Sequence, residues 1–292
     1  MTSRPRLRVG IVGAGRVGAV LGAALRRAGH DVVAVSAVSD LSRLRADALL
    51  PGVAVLSAPE VAVDADLVLL AVPDDVLPGL VSALCADGSI HAGQFVVHPS
   101  GRYGTDVLLP ARKVGAIPLA LHPVMTFTGT SVDLARLEDC PFGVTSDESV
   151  RPVAEALVVE MGGEPVWVPE QTRVLYHAAV SFGANYLMAV VRESIDLLTR
   201  AGMEHPEQLM APLLSASLDN ALRHGDSALT GPVARGDAQT VGEHLRQLQA
   251  QAPAAAAAYQ ALARLTADRA MAAGLLTPGD AERLLDVLAS TT

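Results

Sequence analysis

Short apolar runs alternate with longer amphipathic stretches over the first half of the chain, and the second half drops the short runs altogether. The runs at residues 7–12, 31–35, 53–56, 66–72, 94–97, 114–117, 142–145 and 166–168 have the length and composition of strands. Residues 67–72 are apolar without alternation, the pattern of a central parallel strand covered on both faces. Helical spacing over residues 17–28 ends at Gly29-His30, and a second helix over 150–161 ends at Gly162-Gly163. From Gln171 onward the spacing is helical throughout, over 171–199, 206–224, 239–250, 253–273 and 278–289, with the alanine run 254–258 inside a helix. The pattern predicts an α/β chain. A doubly wound sheet occupies residues 1–168 and an all-α domain occupies residues 169–292.

The turn after the first strand carries the most specific chemistry. Gly13, Gly15 and Gly18 stand at the spacing G-x-G-x-x-G between a buried strand and a helix, the Rossmann-like arrangement for a dinucleotide. Gly13 allows the tight turn, Gly15 lets a pyrophosphate approach the backbone, and Gly18 lets helix and strand pack closely. Ala14, Arg16 and Val17 complete the loop, and the free N–H groups of the helix start attract the anion. At the end of the second strand the chain offers Ser36, Ser39 and Arg43, with Arg16 nearby, which reads as a cradle for the 2′-phosphate of NADP(H). A competing reading extends that strand to Val38 and makes Asp40 the ribose acid of an NAD site. The fourth run leads into Pro73, so Ala71, Val72, Pro73 and Val76 are expected along the cofactor at the carboxyl edge of the sheet. His98-Pro-Ser100-Gly101 and His122-Pro123 follow later strands and bring two imidazoles to the same edge. His98 is assigned to the cofactor, Ser100 and His122 to catalysis, and Gly101 to substrate.

Composition narrows the partners. The 292 residues suffice for two domains, and half are hydrophobic with few aromatics, so the core is built from Ala, Val and Leu. A formal charge of −9 without a basic cluster argues against nucleic acid or an anionic membrane as partner. Cys85 and Cys140 lack C-x-x-C spacing, so neither a disulfide framework nor a metal site is expected, and a reducing cytoplasm fits. The N-terminal residues lack a signal-peptide pattern and no apolar run reaches ~18 residues without polar interruption, which predicts a soluble protein. Lys113 is the only lysine.

The helix starting near Gln171 is apolar on all sides, which predicts that it is buried. It carries His177, Ser181 and Asn185 at i, i+4 and i+8, a polar stripe that a nicotinamide or a substrate carboxylate would satisfy. The later loop over residues 228–237 interrupts apolar helices with Gly, Pro and charge, and its Thr230 and Arg235 are candidate substrate contacts. The wide apolar faces after residue 169 predict a homodimer through the helical domain.

The glycine loop, Asp66–Asp74, His98–Gly101, Leu121–Pro123, Tyr176-His-Ala-Ala with Asn185-Tyr, and Leu229–Asp237 ahead of His244-Leu245 together resemble a known group. It is the Rossmann-like, NADP-dependent oxidoreductase family, with a helical half of unknown function, in the 6-phosphogluconate and β-hydroxyacid dehydrogenase superfamily. Ketopantoate reductase and pyrroline-5-carboxylate reductase are its neighbours in architecture. The resemblance implies an enzyme that moves hydride between NADP(H) and a small anionic substrate, and dimerisation through the helical half. A 2-oxo acid such as ketopantoate is the first substrate class, a cyclic imine such as pyrroline-5-carboxylate the second, and a non-catalytic NADP-binding sensor the third reading. The chain departs from the superfamily's K-x-x-x-N helix motif: Asn185 matches the asparagine, but Ser181 stands where the lysine would be. A serine hydroxyl is a poor acid, so either His177, His122 or another group protonates an alkoxide, or the substrate is an imine.

Overall fold

The computed structural model describes residues 6–289, and the chain divides into two compact units, residues 1–183 and 184–292. The first unit alternates strands and helices in the order β1 (Arg8–Val12), α1 (Arg16–Arg27), β2 (Asp31–Ser36), α2 (Asp40–Leu49), β3 (Ala54–Val55), α3 (Ala58–Val63), β4 (Leu67–Leu70) and α4 (Leu77–Ala86). It continues with β5 (Phe95–His98), α5 (Leu109–Lys113), β6 (Ile117–Pro123), α6 (Val132–Arg136), β7 (Pro141–Thr145), α7 (Arg151–Glu160) and β8 (Glu164–Trp167). The strands form one sheet in the order β3-β2-β1-β4-β5-β6-β7-β8, parallel throughout except where β6 meets β7. Successive side chains of a strand point to opposite faces, and here they feed two separate cores. Val9, Ile11, Leu67 and Leu69 join α1, α2 and α7 on one side, while Val12, Val68 and Leu70 join α3, α4 and α5 on the other. A sheet covered on both faces explains the uninterrupted apolar sequence of β4, all four residues of which are buried.

Strand order reverses between β1 and β4, the switch point at which doubly wound sheets open a crevice. Val12 is level with both Ser36 and Leu70, so the loops after β1, β2 and β4 leave the sheet at one height and one edge. The loops after β1 and β4 line a cavity at this edge.

Two expectations are corrected. The apolar residues 114–117 are not the sixth strand: Val114 closes α5, and Gly115, at φ +88°, turns the chain before β6 begins at Ile117. The buried run Leu119-Ala120-Leu121 is the strand, and His122 therefore lies within β6 rather than beyond it. The long helix α8 (Arg173–Arg200) is not buried on all sides either. Along it only Arg173 and Ile195 are buried. The segment Glu170–Arg200 is long and apolar enough to cross a membrane by length and composition, and none of its apolar window is covered by this chain.

α8 continues past Gly183, where the compact units divide, so its first three turns belong with the sheet rather than with the helices. The second unit adds α9 (Pro206–His224), α10 (Gly231–Ala234), α11 (Ala238–Gln251), α12 (Pro253–Ala272) and α13 (Pro278–Ala289). Its core sets Val241 and Leu245 of α11 and Leu284 and Leu288 of α13 against Ala263, Ala267 and Ala270 of α12. Those alanines recur along one helix face, and their small side chains let the neighbouring helices approach. Asp237 caps α11, accepting hydrogen bonds from Thr240 N at 3.1 Å and Thr240 Oγ1 at 2.7 Å. In α9, by contrast, only Pro206 is buried.

Candidate functional site

The glycine loop is shaped by contacts that leave no room for side chains. Gly13 holds φ +103°, and a Cβ there would lie 2.5 Å from Ala71 O. A Cβ on Gly18 would lie 2.0 Å from Gly13 O and 2.7 Å from the Ala71 Cβ, so the first turn of α1 can pack on the loop only as glycine. Above Gly15 nothing approaches within 4 Å. Gly15 is the N-cap of the twelve-residue α1 and makes no side-chain cap, so the helix start presents free N–H groups to that open space. The loop thus fits a pyrophosphate.

Ser36 buttresses this loop from beneath. It is buried, its Oγ accepts from Gly13 N at 3.1 Å, and its carbonyl accepts from Ala14 N at 2.9 Å. Ser36 is thus placed beneath the loop, as its support. Ser39 is likewise engaged, as N-cap of α2 in a reciprocal box with Ser42. Arg43 stands on the exposed side of α2, with Nε 3.5 Å from Ala37 O. Since β2 ends at Ser36, Asp40 falls in the first turn of α2 and not at a strand end. Sequence reading missed Arg45, which together with Arg16 converges on Gly129: a Cβ there would lie 2.8 Å from Arg45 Nε and 3.0 Å from Arg16 Cγ. The fully buried Asp133 pins that loop, accepting from Thr128 N at 2.8 Å and Gly129 N at 2.7 Å.

From Gly15, Arg16 and Val17 a cavity of about 460 Å³ runs past Ala71, Val72 and Pro73 to Ser100, Gly101, His122 and His177. Residues from loops after four strands and from α8 thus meet in one space. Val76, His98 and Ser181 do not line it, and Val76 is instead the exposed N-cap of α4. Asn185, Thr230 and Arg235 belong to the second unit, where Thr230 precedes α10 and Arg235 follows it.

His98 has a structural task in place of the expected cofactor contact. It is completely buried, its Nε2 lies 2.8 Å from Gly104 O, and its Nδ1 accepts from Ser100 N at 3.2 Å. Burial lowers its pKa to about 4, so the ring is neutral and Nε2–H donates to the carbonyl. It holds the Ser100–Gly104 loop closed. Glu170 fixes the next residues, accepting from Thr105 N at 2.6 Å and from Thr105 Oγ1 at 3.1 Å.

Arg173 was not foreseen as part of the site. Only 1% exposed, its guanidinium donates to Tyr103 O at 2.9 Å, Gly143 O at 2.9 Å and Ser100 O at 2.8 Å, tying α8 to the loops after β5 and to β7. Its charge centre lies 5.5 Å from the centre of the Tyr176 ring, and the Tyr176 hydroxyl lies 2.8 Å from His122 Nδ1. The His122 and His177 rings meet edge to face with centroids 6.0 Å apart. Burial, then the nearby Arg173, His177 and His98, lower the pKa of His122 to about 4, so it is neutral at pH 7. The ordinary imidazole range on which a standing histidine acid relies therefore does not apply to His122. The signal that could have found Arg173 and Tyr176 is spacing: with His177 they occupy i, i+3 and i+4 of one helix face.

No curated protein matches the chain. Among solved structures the fold is similar to a Bacteroides fragilis protein provisionally named an NADP oxidoreductase, at 22% identity and a TM-score of 0.74 over 90% of this chain and 98% of that one. It is also similar to the Plasmodium falciparum pyrroline carboxylate reductase with NADP bound, at 13% identity and a TM-score of 0.56 over 92% and 100%. A third similar fold is the reductive aminase of Aspergillus terreus in complex with NADPH and ethyl levulinate, at 17% identity and a TM-score of 0.61 over 97% and 94%. Residues 2–123 match the Rossmann-like domain, and residues 140–266, which take in β7, β8, α7 to α11 and part of α12, match a domain of unknown function, DUF2520. The chain thus matches a Rossmann-like model over its first part and the DUF2520 model over its second.

Proposed function

We propose that this protein is an NADP(H)-dependent oxidoreductase that moves hydride between nicotinamide and a small 2-oxo acid such as ketopantoate. The observation that carries the reading is the single cavity that joins the phosphate-binding start of α1 to the imidazoles of His122 and His177. Bound there, the nicotinamide supplies or accepts the hydride, and the chain supplies orientation, a dry wall and proton handling. Gly15 and the start of α1 hold the pyrophosphate, and Arg43, Arg45 and Arg16 form the basic flank for a 2′-phosphate. Similar folds named for NADP and NADPH complexes are in keeping with that choice.

A cyclic imine is the second reading. It is favoured by the absence of lysine from the cavity wall, since Lys113 ends α5, and by the similarity to pyrroline carboxylate reductase and a reductive aminase. Purified protein is titrated with NADPH and NADH and screened for NADPH oxidation with 2-oxo acids and cyclic imines. NADPH turnover on either class is expected. Arg43→Ala is expected to weaken NADPH about ten- to a hundredfold and NADH little, the size of one charge-assisted contact. Tight NADPH binding without turnover on any substrate would leave the sensor reading, and equal losses for both cofactors would remove the assignment of Arg43.

The assembly proposed is a homodimer through α8 and α9. Leu209, Leu213, Leu218 and Leu222 of α9 are each more than half exposed, and α8 exposes Val174, Leu175 and Met188. An apolar surface of this kind marks an association site, and twofold pairing is the commonest form.

A further inference from the structure

We propose that Tyr176 is the proton source of the reduction, delivering its phenolic proton to Nδ1 of His122 while the Nε2–H of His122 protonates the substrate oxygen. The inference rests on the oxidoreductase reading above and deepens it by selecting a carbonyl substrate over an imine.

The hydrogen-bond pattern defines the direction of the relay. His122 and Tyr176 share one contact, 2.8 Å between Nδ1 and the hydroxyl, and among the described residues neither polar group has another hydrogen-bond partner. If Nδ1 carried the proton, the phenolic hydrogen would be left without an acceptor inside the fold. With the phenol donating to Nδ1, the neutral ring carries its hydrogen on Nε2. That nitrogen faces the wall of the cavity at Gly101, where a Cβ would lie 2.9 Å from Nε2 and 2.6 Å from Cδ2 of His177. Glycine at this position keeps the donor edge open to a ligand.

The far end of the relay is tightly packed and lies beside a cation. The phenolic oxygen is wedged over Gly143, where a Cβ would lie 2.3 Å away, and the Arg173 guanidinium lies 5.5 Å from the ring centre, held by three backbone carbonyls. The charged or titratable groups facing the pair are Arg173 and His177 from α8, His98 from β5 and Cys140 just before β7. Burial raises the Tyr176 pKa, Arg173 works against that rise, and Cys140 adds to it. Hydride addition to the carbonyl carbon moves the C=O π pair onto oxygen. The alkoxide takes the Nε2 proton, Nδ1 takes the phenolic proton, and the imidazole stays neutral. The relay resets when solvent protonates Nε2 and the Nδ1 proton returns to the tyrosinate beside Arg173. A simple alkoxide is a far stronger base than a phenolate, so the transfer runs downhill, whereas an imidazolium with a pKa of about 4 is almost unpopulated at pH 7. Reduction of an iminium yields a neutral amine and leaves the relay idle.

The test compares wild type with Tyr176→Phe and His122→Gln on 2-oxo acids and imines, with NADPH affinity followed by fluorescence and His122 by ¹⁵N NMR. Expected are a loss of about 10²–10⁴-fold in kcat on the carbonyl in either variant, a distinctly smaller loss on the imine with NADPH binding retained, and an Nε2–H signal from a neutral His122 down to pH 5. An Nδ1–H tautomer, or Tyr176→Phe with undiminished carbonyl turnover, overturns the relay. Wild type that binds NADPH but reduces only imines overturns the relay and leaves the oxidoreductase reading standing. Failure to bind NADPH at all overturns both. Should Tyr176→Phe not fold, turnover by His122→Gln and the tautomer of the wild-type ring decide between relay and no relay in its place.

Discussion

The two units of the chain bury apolar surface in opposite ways. In the sheet unit, strand residues alternate into two cores, and large side chains such as Ile11, Leu21, Leu50, Leu67 and Phe142 are fully enclosed by helices of the same unit. In the helical unit, α11, α12 and α13 close a small core rich in alanine, while α9 exposes four leucines and buries only Pro206. A sheet wrapped on both faces completes its own burial, but an outlying helix needs a further layer. The comparison teaches that the cofactor loop and the histidine pair stand on the self-sufficient part of the molecule, and the unfinished surface lies where a second copy is proposed.

The sharpest way to break this contrast is to remove the cation at the heart of the sheet unit. Arg173→Leu would orphan the carbonyls of Ser100, Tyr103 and Gly143 and is expected to destabilise the sheet unit by about 3–5 kcal/mol in urea denaturation. Arg173→Lys, which keeps charge but cannot reach three carbonyls in a fan, should recover only part of that loss. A variant as stable as wild type would show that α8 is not clamped to the sheet by this residue.

Acid sharpens the contrast by acting on two buried histidines of the sheet unit. His98 and His122 are both held near a pKa of 4, below the 6.5 of an unfolded histidine. The unfolded chain therefore takes up protons that the native state refuses. Stability from this source is intact above pH 6.5 and is lost as the pH falls through 4, by about 3 kcal/mol per histidine. Denaturation curves at pH 8, 6 and 4.5 should show that loss, and His98→Asn should reduce its slope. A slope unchanged by His98→Asn would remove the buried imidazole as its cause.

The smallest effect is expected on the open surface. Leu213→Gln, at a residue 57% exposed, should shift monomer unfolding by no more than about 0.5 kcal/mol. It should weaken a dimer by about 1.5–3 kcal/mol if the leucine becomes enclosed there. Light scattering across a dilution series checks both: wild type is expected at twice the 30.2 kDa chain mass, with Leu213→Gln dissociating at higher concentration. A wild type that stays at the single-chain mass at micromolar concentration removes the homodimer.

Local pattern sufficed for the elements whose causes are local. The buried runs of β1, β2, β4 and β7, the glycine turn before α1 and the helices α8, α9, α11, α12 and α13 were legible because periodicity, glycine and capping residues act within a few positions, whereas the short α10 lies in a stretch that reads as a loop. Sheet order, the reversal between β1 and β4, and the start of β6 at Ile117 depended on pairing between distant segments. The site divides in the same way. Gly13, Gly15 and Gly18 could be assigned from spacing alone, because the loop conformation belongs to the loop. His98 and His122 looked equivalent, each before a proline at a strand end, yet one closes a buried loop and the other opens onto the cavity. Only the packing of α8 against the sheet decided that difference, by bringing Arg173 and Tyr176 to residues dozens of positions away. Nor could apolar composition tell a helix enclosed by its own chain from α8, which is left largely bare, because burial is a property of the neighbours a segment meets.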